Sequence, residues 1–552
     1  MITRFSRRAL PAVAAAALLA ACTSSGGSTD AAPGTPSTAA TTTPSPTDPA
    51  SATAAPAPTP TPTATPTPTV KPTGQADPAL QAFYGQQLGW AACADDPKTA
   101  KIDESAVQCT TLKVPLDYAD PGAGTLDVAV VRKPAAKPDQ RIGAVVVNPG
   151  GPGGTGVGFV QRNPDYFQKG VRERFDTVGI DPRGVGGTSP VNCLDDRTRD
   201  DWLGTDDPGP EHGKVLADAC QAKYGKLLPF LGTRDSVRDM DVLRAALGEQ
   251  KLTYFGLSYG TYIGSVYAEE FPDRVGRLVL DGAVDPSLPL AQHNIEQYAG
   301  FERSLNAFAA YCAKKSSCPL GKDPDKAAGK LADFLDGLKQ KPLTTSTGRV
   351  LTSTLAWTGV IEGLYGDESA WDQLRTVLTQ AMANGKGDLL LGYADSYNRR
   401  DKDGHYNVSA DAYTAIHCAD GATDVPTGDA LQAAYADLAA KAPLISRHDP
   451  SAAVFDPDCR TWPFRSAERS HPIASKAQAP IVVVGSTGDA ATPYANAEKL
   501  AAQLGNAVLL TREGEGHTGY GWSACIRTAV DAFLLEGAAP AAGTRCASDP
   551  AQ

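Results

Sequence analysis

Basic residues are in short supply in this chain, and that shortage excludes one class of partner. Lys and Arg number 51 against 62 Asp and Glu in 552 residues, which gives a formal net charge of -11 at pH 7. No basic stripe or arginine-rich arm offsets the acidic excess, so the surface should repel phosphate backbones. The sequence therefore predicts a protein with no nucleic-acid partner.

Long hydrophobic runs are also missing, apart from one at the N-terminus. That run, residues 9–21, is too short to span a bilayer, so a polytopic membrane protein is excluded. The overall composition, 42% hydrophobic and 20% charged, is typical of a globular protein. The length predicts more than one folding unit.

Signatures of bound metals and phosphates are absent too. The chain contains no Cys-x-x-Cys pair and no His-Glu-x-x-His motif, which are the usual signs of a zinc site. A glycine-rich stretch at 149–154 lacks the Lys-Ser/Thr that a phosphate-binding loop requires. We therefore expect no metal and no cofactor.

The first 22 residues have the pattern of an export signal. Arg4, Arg7 and Arg8 precede the apolar run, and Leu-Ala-Ala-Cys at 19–22 resembles the lipobox of bacterial lipoproteins, whose cysteine is acylated. The alternative is an ordinary secretory signal that happens to be cleaved beside a cysteine. We favour the lipobox, with Cys22 as the lipidation site. The protein is then expected on the extracellular face of the bacterial cell membrane, anchored through lipid, or secreted.

A linker is predicted to follow at 23–75. This segment consists mainly of Thr, Pro, Ala and Ser and has almost no large apolar side chain. Such a composition cannot bury enough surface to offset the entropy lost on ordering, so we expect it to be disordered.

The cysteine count agrees with an exported protein. Eleven cysteines are an awkward odd number for a secreted chain, but setting Cys22 aside leaves ten, enough for five disulfides. Connectivity does not follow from sequence alone, so pairing of sequence neighbours is a hypothesis. The pairs would be Cys93/Cys109, Cys193/Cys220, Cys312/Cys318, Cys418/Cys459 and Cys525/Cys546.

Two stretches of alternating strands and helices flank a middle region that is mainly helical. Short apolar runs and helical stripes alternate from 107 to 286 and again from 480 onward, which predicts a mostly parallel sheet with helices on both faces. Helical patterns dominate between 290 and 475. We interpret 76–289 and 476–552 as two parts of one α/β core, and 290–475 as a mainly helical cap over the site.

The strongest motif is Gly-Leu-Ser-Tyr-Gly at 256–260. This G-x-S-x-G sequence lies between a predicted strand at 252–257 and a predicted helix at 261–271. A serine on such a tight turn projects its hydroxyl from the sheet edge, and glycine on either side lets the neighbouring chain come close. The context favours Ser258 as a nucleophile over a chance match in a chain with 54 glycines.

A serine nucleophile needs a base and an acid that orients it. Of the seven histidines, only His517 follows a late strand through a Gly-rich turn, and structural or solvated roles are simpler for the other six. Asp489 and Asp281 both follow strands and both fit the chain order Ser…Asp…His. We favour Asp489, because the strand just before the histidine-bearing one usually supplies the acid, and expect Asp281 to be structural.

An oxyanion hole requires two N–H donors. The N–H of Tyr259 is one, since it opens the helix after the nucleophile. The second should come from the glycine-rich loop after the strand at 144–148, where Gly151 or Gly150 is the expected donor; the alternative is a plain glycine-rich turn.

With these motifs in place, the chain resembles the secreted tripeptidyl aminopeptidases, α/β-hydrolases related to prolyl iminopeptidases. The resemblance covers most of residues 105–546, and Pro149 stands where the iminopeptidase branch has histidine. It implies an α/β-hydrolase fold, Ser258 as nucleophile, Asp489 as acid, His517 as base, and release of short peptides from free N-termini. The motifs that carry it are Asn-Pro-Gly-Gly-Pro-Gly at 148–153, Asp-Pro-Arg-Gly at 181–184, Gly-Leu-Ser-Tyr-Gly-Thr at 256–261, Phe-Pro-Asp-Arg-Val at 271–275, Val-Leu-Asp-Gly at 279–282 and Gly-Asp-Ala-Ala-Thr-Pro at 488–493.

Exopeptidase action would require a carboxylate in the cap to pair with the α-ammonium of the peptide substrate. Glu362, Asp367, Glu368 and Asp420 are the candidates, and a solvated charge on a helix face is the alternative for each. Two other functions remain open: a carboxylesterase of the cell envelope with the same triad, and a substrate-binding lipoprotein. Ser, Asp and His at strand ends argue against the binding protein.

Overall fold

The computed structural model describes residues 74–93, 107–206, 211–421, 426–448, 459, 461–464 and 469–549. The predicted signal peptide at 1–22, the lipidation site Cys22 and nearly all of the predicted linker at 23–75 lie outside the described residues.

The described chain contains one large sheet and one small hairpin. The strands are β1 (Ala91–Ala92), β2 (Gln108–Pro115), β3 (Thr125–Lys133), β4 (Gly143–Asn148), β5 (Phe175–Ile180), β6 (Leu252–Leu257), β7 (Val275–Asp281), β8 (Leu343–Thr344), β9 (Val350–Leu351), β10 (Ile481–Gly488), β11 (Ala507–Glu515) and β12 (Arg545–Ala547). The ten-stranded sheet has the order β1-β2-β3-β5-β4-β6-β7-β10-β11-β12, and β8 pairs with β9. The pairs β1–β2, β2–β3 and β3–β5 are antiparallel and the other six are parallel, which confirms the predicted mostly parallel sheet.

The helices fall into a group that belongs to the α/β core and a group inserted between β7 and β10. The first comprises α1 (Gln81–Tyr84), α2 (Gly156–Arg162), α3 (Lys169–Arg174), α4 (Asp196–Leu203), α5 (His212–Tyr224), α6 (Thr233–Ala246) and α7 (Tyr259–Glu270), and at the C-terminal end α16 (Tyr494–Leu504) and α17 (Ala524–Glu536). The inserted group is α8 (Leu290–Lys314), α9 (Pro324–Leu338), α10 (Ser353–Leu364), α11 (Glu368–Asn384), α12 (Asp388–Tyr397), α13 (Ala412–Gly421), α14 (Gly428–Lys441) and α15 (Pro443–His448). Among the described helices, none combines the length with the hydropathy that a bilayer span requires.

Side-chain alternation along β4 shows how both faces of the sheet are covered. Val146 packs in a cluster with residues of α6, α7 and α16, whereas Val145 and Val147 pack with residues of α2, α3 and α17 on the other face. Every residue of β4 and β5 is buried. Continuous burial of this kind is what a parallel strand needs when helices cover both faces, and it explains the valine runs in the sequence.

The insertion between β7 and β10 has a hydrophobic core of its own. Leu305, Phe308 and Trp371 are at most 1% exposed and belong to one cluster of helix residues. Ala490 and Ala491, which follow β10, join this cluster, so the insertion packs against the sheet where β10 ends. The hairpin of β8 and β9 was not predicted, because strands of two residues are too short to show an alternating pattern.

The structure forms five disulfides, and they join the cysteines that are neighbours in sequence. The bonds are Cys93–Cys109, Cys193–Cys220, Cys312–Cys318, Cys418–Cys459 and Cys525–Cys546. Two of them hold elements beside the site described next, since Cys418 lies on α13 and Cys525 begins the helix that follows the His517 loop.

Candidate active site

Ser258 occupies a sharp turn between β6 and α7. Its backbone angles, φ 55° and ψ -125°, lie in a region that an L-residue rarely adopts, and its side chain emerges where the strand ends. The glycine at 256 is required by close approach, since a Cβ atom there would lie 2.3 Å from the carbonyl oxygen of Gly260. Ser258 is 5% exposed. The local sequence thus produces the strained strand-to-helix turn that presents a nucleophile.

His517 and Asp489 are in direct contact. The imidazole Nδ1 lies 2.9 Å from both carboxylate oxygens of Asp489, and both side chains are buried. Asp489 also accepts N–H hydrogen bonds from Ala491, Thr492 and Thr518. Burial would raise the pKa of Asp489, but the His517 charge, its hydrogen bond and these donors hold the pKa below the usual value. These contacts keep the Asp489 carboxylate ionised beside the imidazole of His517.

Asp281, the rival carboxylate, has different partners. It accepts hydrogen bonds from the N–H groups of Gly519 and Tyr520, at 2.7 and 2.9 Å, and so holds the loop that follows His517. Burial raises the pKa of Asp281 to about 6, against the opposing effect of these two N–H donors. The structure therefore brings Asp489, and not Asp281, to the imidazole.

Ser258 and His517 both lie beside the segment formed by Asp281 and Gly282. The N–H of Ser258 donates to the carbonyl of Asp281 at 2.9 Å, and a Cβ atom on Gly282 would lie 3.0 Å from His517 Cε1. Among the described residues, His517 Nε2 has no hydrogen-bond partner. This is the nitrogen that faces away from Asp489 and is the one that a base would use. In free enzymes the hydrogen bond between a catalytic base and its nucleophile is often long, and it tightens only when substrate binds.

The glycine-rich loop after β4 lies directly against the Ser258 turn. A Cβ atom on Gly150 would be 2.5 Å from the carbonyl oxygen of Leu257 and 2.9 Å from Ser258 Cβ, so only glycine fits. The N–H of Gly150 donates to Asn148 Oδ1 at 2.9 Å, which makes it unsuitable as an oxyanion donor. Of the two glycines the structure thus favours Gly151, together with Tyr259, whose N–H lies in the first turn of α7 and has no helical acceptor.

A cavity of about 850 Å³, here called the main cavity, opens at Ser258. Helix α13 forms part of its wall and contributes Tyr413, whose ring stacks on His417 at 5.2 Å. Burial and the neighbouring His293 lower the pKa of His417 to about 3, so its imidazole is neutral at physiological pH. The cavity is lined by Gly151, Pro152, Ser258, Tyr259, Tyr262, Val284, Asp285, Pro286, Leu288, Leu290, His293, Gln297, Tyr413, His417, Asp420, Ser470 and Thr492. Its apolar and aromatic wall with a few polar groups is typical of a small-molecule or peptide site.

The four carboxylates predicted to bind a substrate amine lie in different places. Asp420 lines the main cavity with Ser258. Asp367 caps α11 by accepting from the N–H of Ser369, and Glu368 beside it is exposed. Glu362 is half-buried on α10, accepts a hydrogen bond from Ser396, and is not part of the cavity wall. The structure thus brings Asp420 alone of the four to the cavity at Ser258.

Two residues beside the imidazole were missed by sequence reasoning. Thr492 Oγ1 donates to Asp489 Oδ2 at 3.1 Å and lies 3.3 Å from His517 Nδ1. Tyr365 packs its ring edge-on against the imidazole, with centroids 5.5 Å apart, and its carbonyl accepts the His517 N–H at 2.9 Å. Thr492 lies inside a motif quoted above, three residues after Asp489, and that spacing was an available signal. Tyr365 is inserted from the cap and carries no local signal.

One group of potential metal ligands occurs among the described residues, but it does not fit an ion. Cys193, Cys220 and Asp411 lie close together. The two sulfurs are bonded to each other, and both carboxylate oxygens of Asp411 pair with the Arg199 guanidinium. Thiolate ligands are therefore not available there.

Comparison with known proteins identifies relatives along most of the chain. A family model described as TAP-like protein matches residues 448–546. Serine protease Hip1 of Mycobacterium tuberculosis is 38% identical over 492 residues, which cover 85% of this chain and 92% of that protein. Carboxylesterase B of the same organism is 36% identical over 476 residues, which cover 84% of this chain and 90% of that protein. Tripeptidyl aminopeptidase of Streptomyces lividans is 31% identical, with 83% of this chain and 86% of that protein covered.

Proposed function

Because this chain belongs to the tripeptidyl aminopeptidase family of serine hydrolases, we propose that it is a serine exopeptidase that removes short peptides from free N-termini. The observation that carries the proposal is the contact of His517 Nδ1 with Asp489 beside the strained Ser258 turn, which lines the main cavity. The helical insertion contributes residues of α8 and α13 to the wall of that cavity, among them the carboxylate of Asp420, which could pair with the amine of a peptide N-terminus.

The reaction has two steps, acylation of Ser258 and hydrolysis of the acyl-enzyme, and both use the residues of this site. Ser258 Oγ attacks the scissile carbonyl carbon while His517 Nε2 takes its proton, and the oxyanion accepts from the N–H groups of Tyr259 and Gly151. The C–N bond then breaks as His517 returns the proton to the leaving amine. Water attacks the resulting ester with His517 as base, which releases the peptide acid and regenerates Ser258. Asp489 holds the imidazole orientation and stabilises its protonated form.

Asp420 is the residue proposed to bind the substrate ammonium. Its carboxylate accepts the N–H of Thr233 at 2.7 Å and also contacts the Thr233 hydroxyl, which in turn contacts the hydroxyl of Tyr259. Since Tyr259 follows the nucleophile, Asp420 is connected to the Ser258 turn through the Tyr259 side chain and the Thr233 hydroxyl. An extended peptide advances ~3.3–3.6 Å per residue, so this arrangement suits an amine a few residues from the scissile bond. An ion pair in such an enclosed place is stronger than one at the surface.

Asp285 is a poorer partner for the amine although it lines the same cavity. Its carboxylate already accepts from Gln503 at 2.7 Å and from Ser287, and lies 3.4 Å from Lys499 Nζ. Its charge is therefore already matched by a lysine.

A panel of chromogenic substrates tests the proposal. Unblocked peptide anilides of one, two and three residues should be cleaved with a maximum at three, and N-acetylation should lower kcat/KM for the best of them at least tenfold. Ser258→Ala should abolish turnover with an unchanged melting temperature. Asp420→Asn should raise KM for the free tripeptide while changing KM for its acetylated form much less. Equal kcat/KM for free and acetylated tripeptides would contradict the exopeptidase assignment.

Carboxylesterase activity is the second candidate, and the similarity to carboxylesterase B is the observation that favours it. The same triad hydrolyses esters, and the apolar wall of the main cavity would accept an acyl chain. Medium-chain nitrophenyl esters in the same panel separate the two activities. If kcat/KM for the esters exceeds that for every free peptide by a hundredfold or more, the esterase is the principal activity.

We also propose where the protein is located. The lipobox-like Leu-Ala-Ala-Cys at 19–22 and the Pro/Thr-rich segment after it support an exported protein held at the membrane through acylated Cys22. The five disulfides support an oxidising compartment.

A further inference from the structure

A buried arginine of strand β11 lies against the loop that carries His517. Arg512 is 0% exposed and stands opposite Ser486 of β10 in the sheet register. Strand β11 ends at Glu515, and His517 follows two residues later. A guanidinium without access to solvent is therefore placed where β10 and β11 end, next to the proposed base.

Three carbonyl groups of this loop accept hydrogen bonds from Arg512. Its Nη1 donates to the carbonyls of Gly516 and Thr518, at 3.1 and 3.0 Å, and its Nη2 donates to the carbonyl of Glu515. Beyond the end of a strand the backbone carbonyls need such partners, because no ladder continues there. The carbonyls on both sides of His517 are thus bound by one rigid, planar group.

The carbonyl of His517 itself is bound by Trp522. The indole N–H donates to it at 2.9 Å, and the Trp522 ring lies beside the guanidinium, with its centroid 5.7 Å from Arg512 Cζ. The N–H of His517 donates to the carbonyl of Tyr365 at 2.9 Å. Of the four carbonyls from 515 to 518, Arg512 therefore binds three and Trp522 binds one.

The other acceptors of Arg512 are two hydroxyl groups. Ser486 Oγ lies 3.2 Å from Nη1 and donates to the Thr518 carbonyl, and Ser548 Oγ lies 3.1 Å from Nε. All five acceptors of the guanidinium among the described residues are thus neutral oxygens. Burial lowers the pKa of Arg512, and the more distant charges of Asp367 and Asp489 oppose this shift.

A buried cation that donates only to neutral acceptors is a costly way to stabilise a fold. Removing its charge from water costs several kcal/mol, and an apolar side chain of similar size would avoid that cost. What an apolar side chain could not do is hold the carbonyls on both sides of His517 at fixed positions. The contacts of Arg512 therefore account for the geometry of the loop better than for the stability of the protein.

We propose that Arg512 is a positioning residue for the catalytic base: it fixes the loop so that the His517 imidazole stays in contact with Asp489 and in reach of the Ser258 proton. Arg512 acts through the backbone, since it contacts neither the imidazole nor the wall of the main cavity. This inference rests on the triad of the proposed function and holds for a peptide or an ester substrate alike.

Substitution of Arg512 should lower kcat and leave KM nearly unchanged. Arg512→Met removes all five hydrogen bonds, and a displaced base should reduce kcat by about 10- to 100-fold. Arg512→Lys keeps a donor and should restore part of the loss. Trp522→Phe keeps the ring, removes one hydrogen bond to the His517 carbonyl, and should reduce kcat severalfold. The rates are measured on the tripeptide anilide and on a nitrophenyl ester, and are divided by the number of active sites that a fluorophosphonate labels, so that unfolded protein does not count.

Arg527→Met is the matched control. Its guanidinium also binds loop carbonyls, those of Tyr520 and Gly521, and pairs with Asp549, but these residues lie beyond the stretch that carries His517. This variant should lower the melting temperature and change kcat per active site less than twofold. A kcat per active site that is unaltered in both Arg512→Met and Trp522→Phe would overturn the proposal. Equal losses in Arg512→Met and Arg527→Met would overturn it too, because they would indicate general destabilisation.

Ser258→Ala separates this inference from the proposed function. If the wild-type turnover of both substrates persists in Ser258→Ala, the hydrolase assignment fails first. If turnover requires Ser258 but not Arg512, only the positioning role fails.

Discussion

Asp281 is the last residue of β7 and Asp489 directly follows β10, the adjacent strand, and both are buried close to His517. Asp489 faces the imidazole and is surrounded by N–H donors, whereas Asp281 is turned toward the backbone of the loop after His517. The two carboxylates therefore have different roles: Asp489 orients the imidazole, and Asp281 holds the loop that follows His517. The direction of each side chain determines its role.

Substituting each carboxylate by its amide should separate these roles. Asp489→Asn loses the charge that stabilises the imidazolium, and its amide can hold the wrong tautomer, so kcat should fall by about 10³- to 10⁴-fold. Asp281→Asn keeps an acceptor oxygen for the loop N–H groups and should cost less than tenfold. Steady-state kinetics on the tripeptide anilide measure both variants. A larger loss for Asp281→Asn would reassign the acid.

The side chain of Glu362 should make the free energy of unfolding depend on pH. Burial raises the pKa of Glu362 to about 7 from 4.5, although the Ser396 hydroxyl and the Arg399 charge oppose the shift. The folded protein therefore binds a proton that the unfolded chain has released between these values. The stability contributed by this group is complete below about pH 4.5 and is lost as the pH rises through about 7.

Removing the ionisable group should abolish that loss. Glu362→Gln keeps an oxygen for Ser396 and should raise the free energy of unfolding by ~1–3 kcal/mol at pH 8 while changing it little at pH 5. Urea unfolding at the two pH values measures the difference. Glu368→Gln, an exposed neighbour in sequence, is the control and should show no difference between the two pH values. An equal effect of Glu362→Gln at both values would contradict the burial argument.

Helix α13 is the element that joins the cap to the main cavity. It carries Tyr413, His417 and Asp420 on the cavity wall, and Cys418 in the same helix is bonded to Cys459. Just before the helix, Asp411 pairs with the buried Arg199 of α4. The covalent bond and the ion pair hold the proposed ammonium site at a set distance from Ser258.

Opening two disulfides of comparable expected stabilisation should have different kinetic effects. The bonds Cys418–Cys459 and Cys525–Cys546 close loops of 41 and 21 residues, and loss of either should cost about 3 to 4 kcal/mol. Replacing Cys418 and Cys459 by Ala should also raise KM for the free tripeptide severalfold, because α13 loses its tether. Replacing Cys525 and Cys546 should lower the melting temperature without that rise. Calorimetry measures the stability of the two double variants, and steady-state kinetics measure their KM. Equal KM values for the two variants would argue against this role of α13.

At the scale of the whole molecule, the proposed anchor is separate from the catalytic chemistry. The site is built from residues 148 to 517, and residue 22 lies far from it in sequence. A tether at the N-terminus should therefore decide where the enzyme acts and leave its turnover of small substrates unchanged.

Cys22→Ser tests this separation. In a bacterium that processes lipoproteins, the wild-type protein should partition into detergent and Cys22→Ser should move to the aqueous phase, since the acyl chains supply the membrane affinity. Both forms should have the same kcat/KM for a tripeptide anilide. Wild-type protein found wholly in the aqueous phase would contradict the anchor and leave the hydrolase assignment intact.

The amino-acid sequence by itself determined the sheet, the order of its main elements and the turn that carries Ser258. These features depend on local patterns: the valine run of β4 requires burial on both faces, and the glycines at 256 and 260 permit one tight turn. The strand-end positions of His517 and Asp489 were also predictable, because the carboxyl ends of parallel strands meet at one edge of a sheet.

Only the tertiary structure decided the features that depend on direction and on distant contacts. It turned Asp489 rather than Asp281 toward the imidazole, occupied the N–H of Gly150 with Asn148, and brought Asp420 to the cavity wall while leaving Glu368 exposed. It also turned the Arg512 guanidinium toward the carbonyl groups on both sides of His517. A pattern along the chain specifies which face of an element is buried, but which partner a side chain meets depends on how the elements pack.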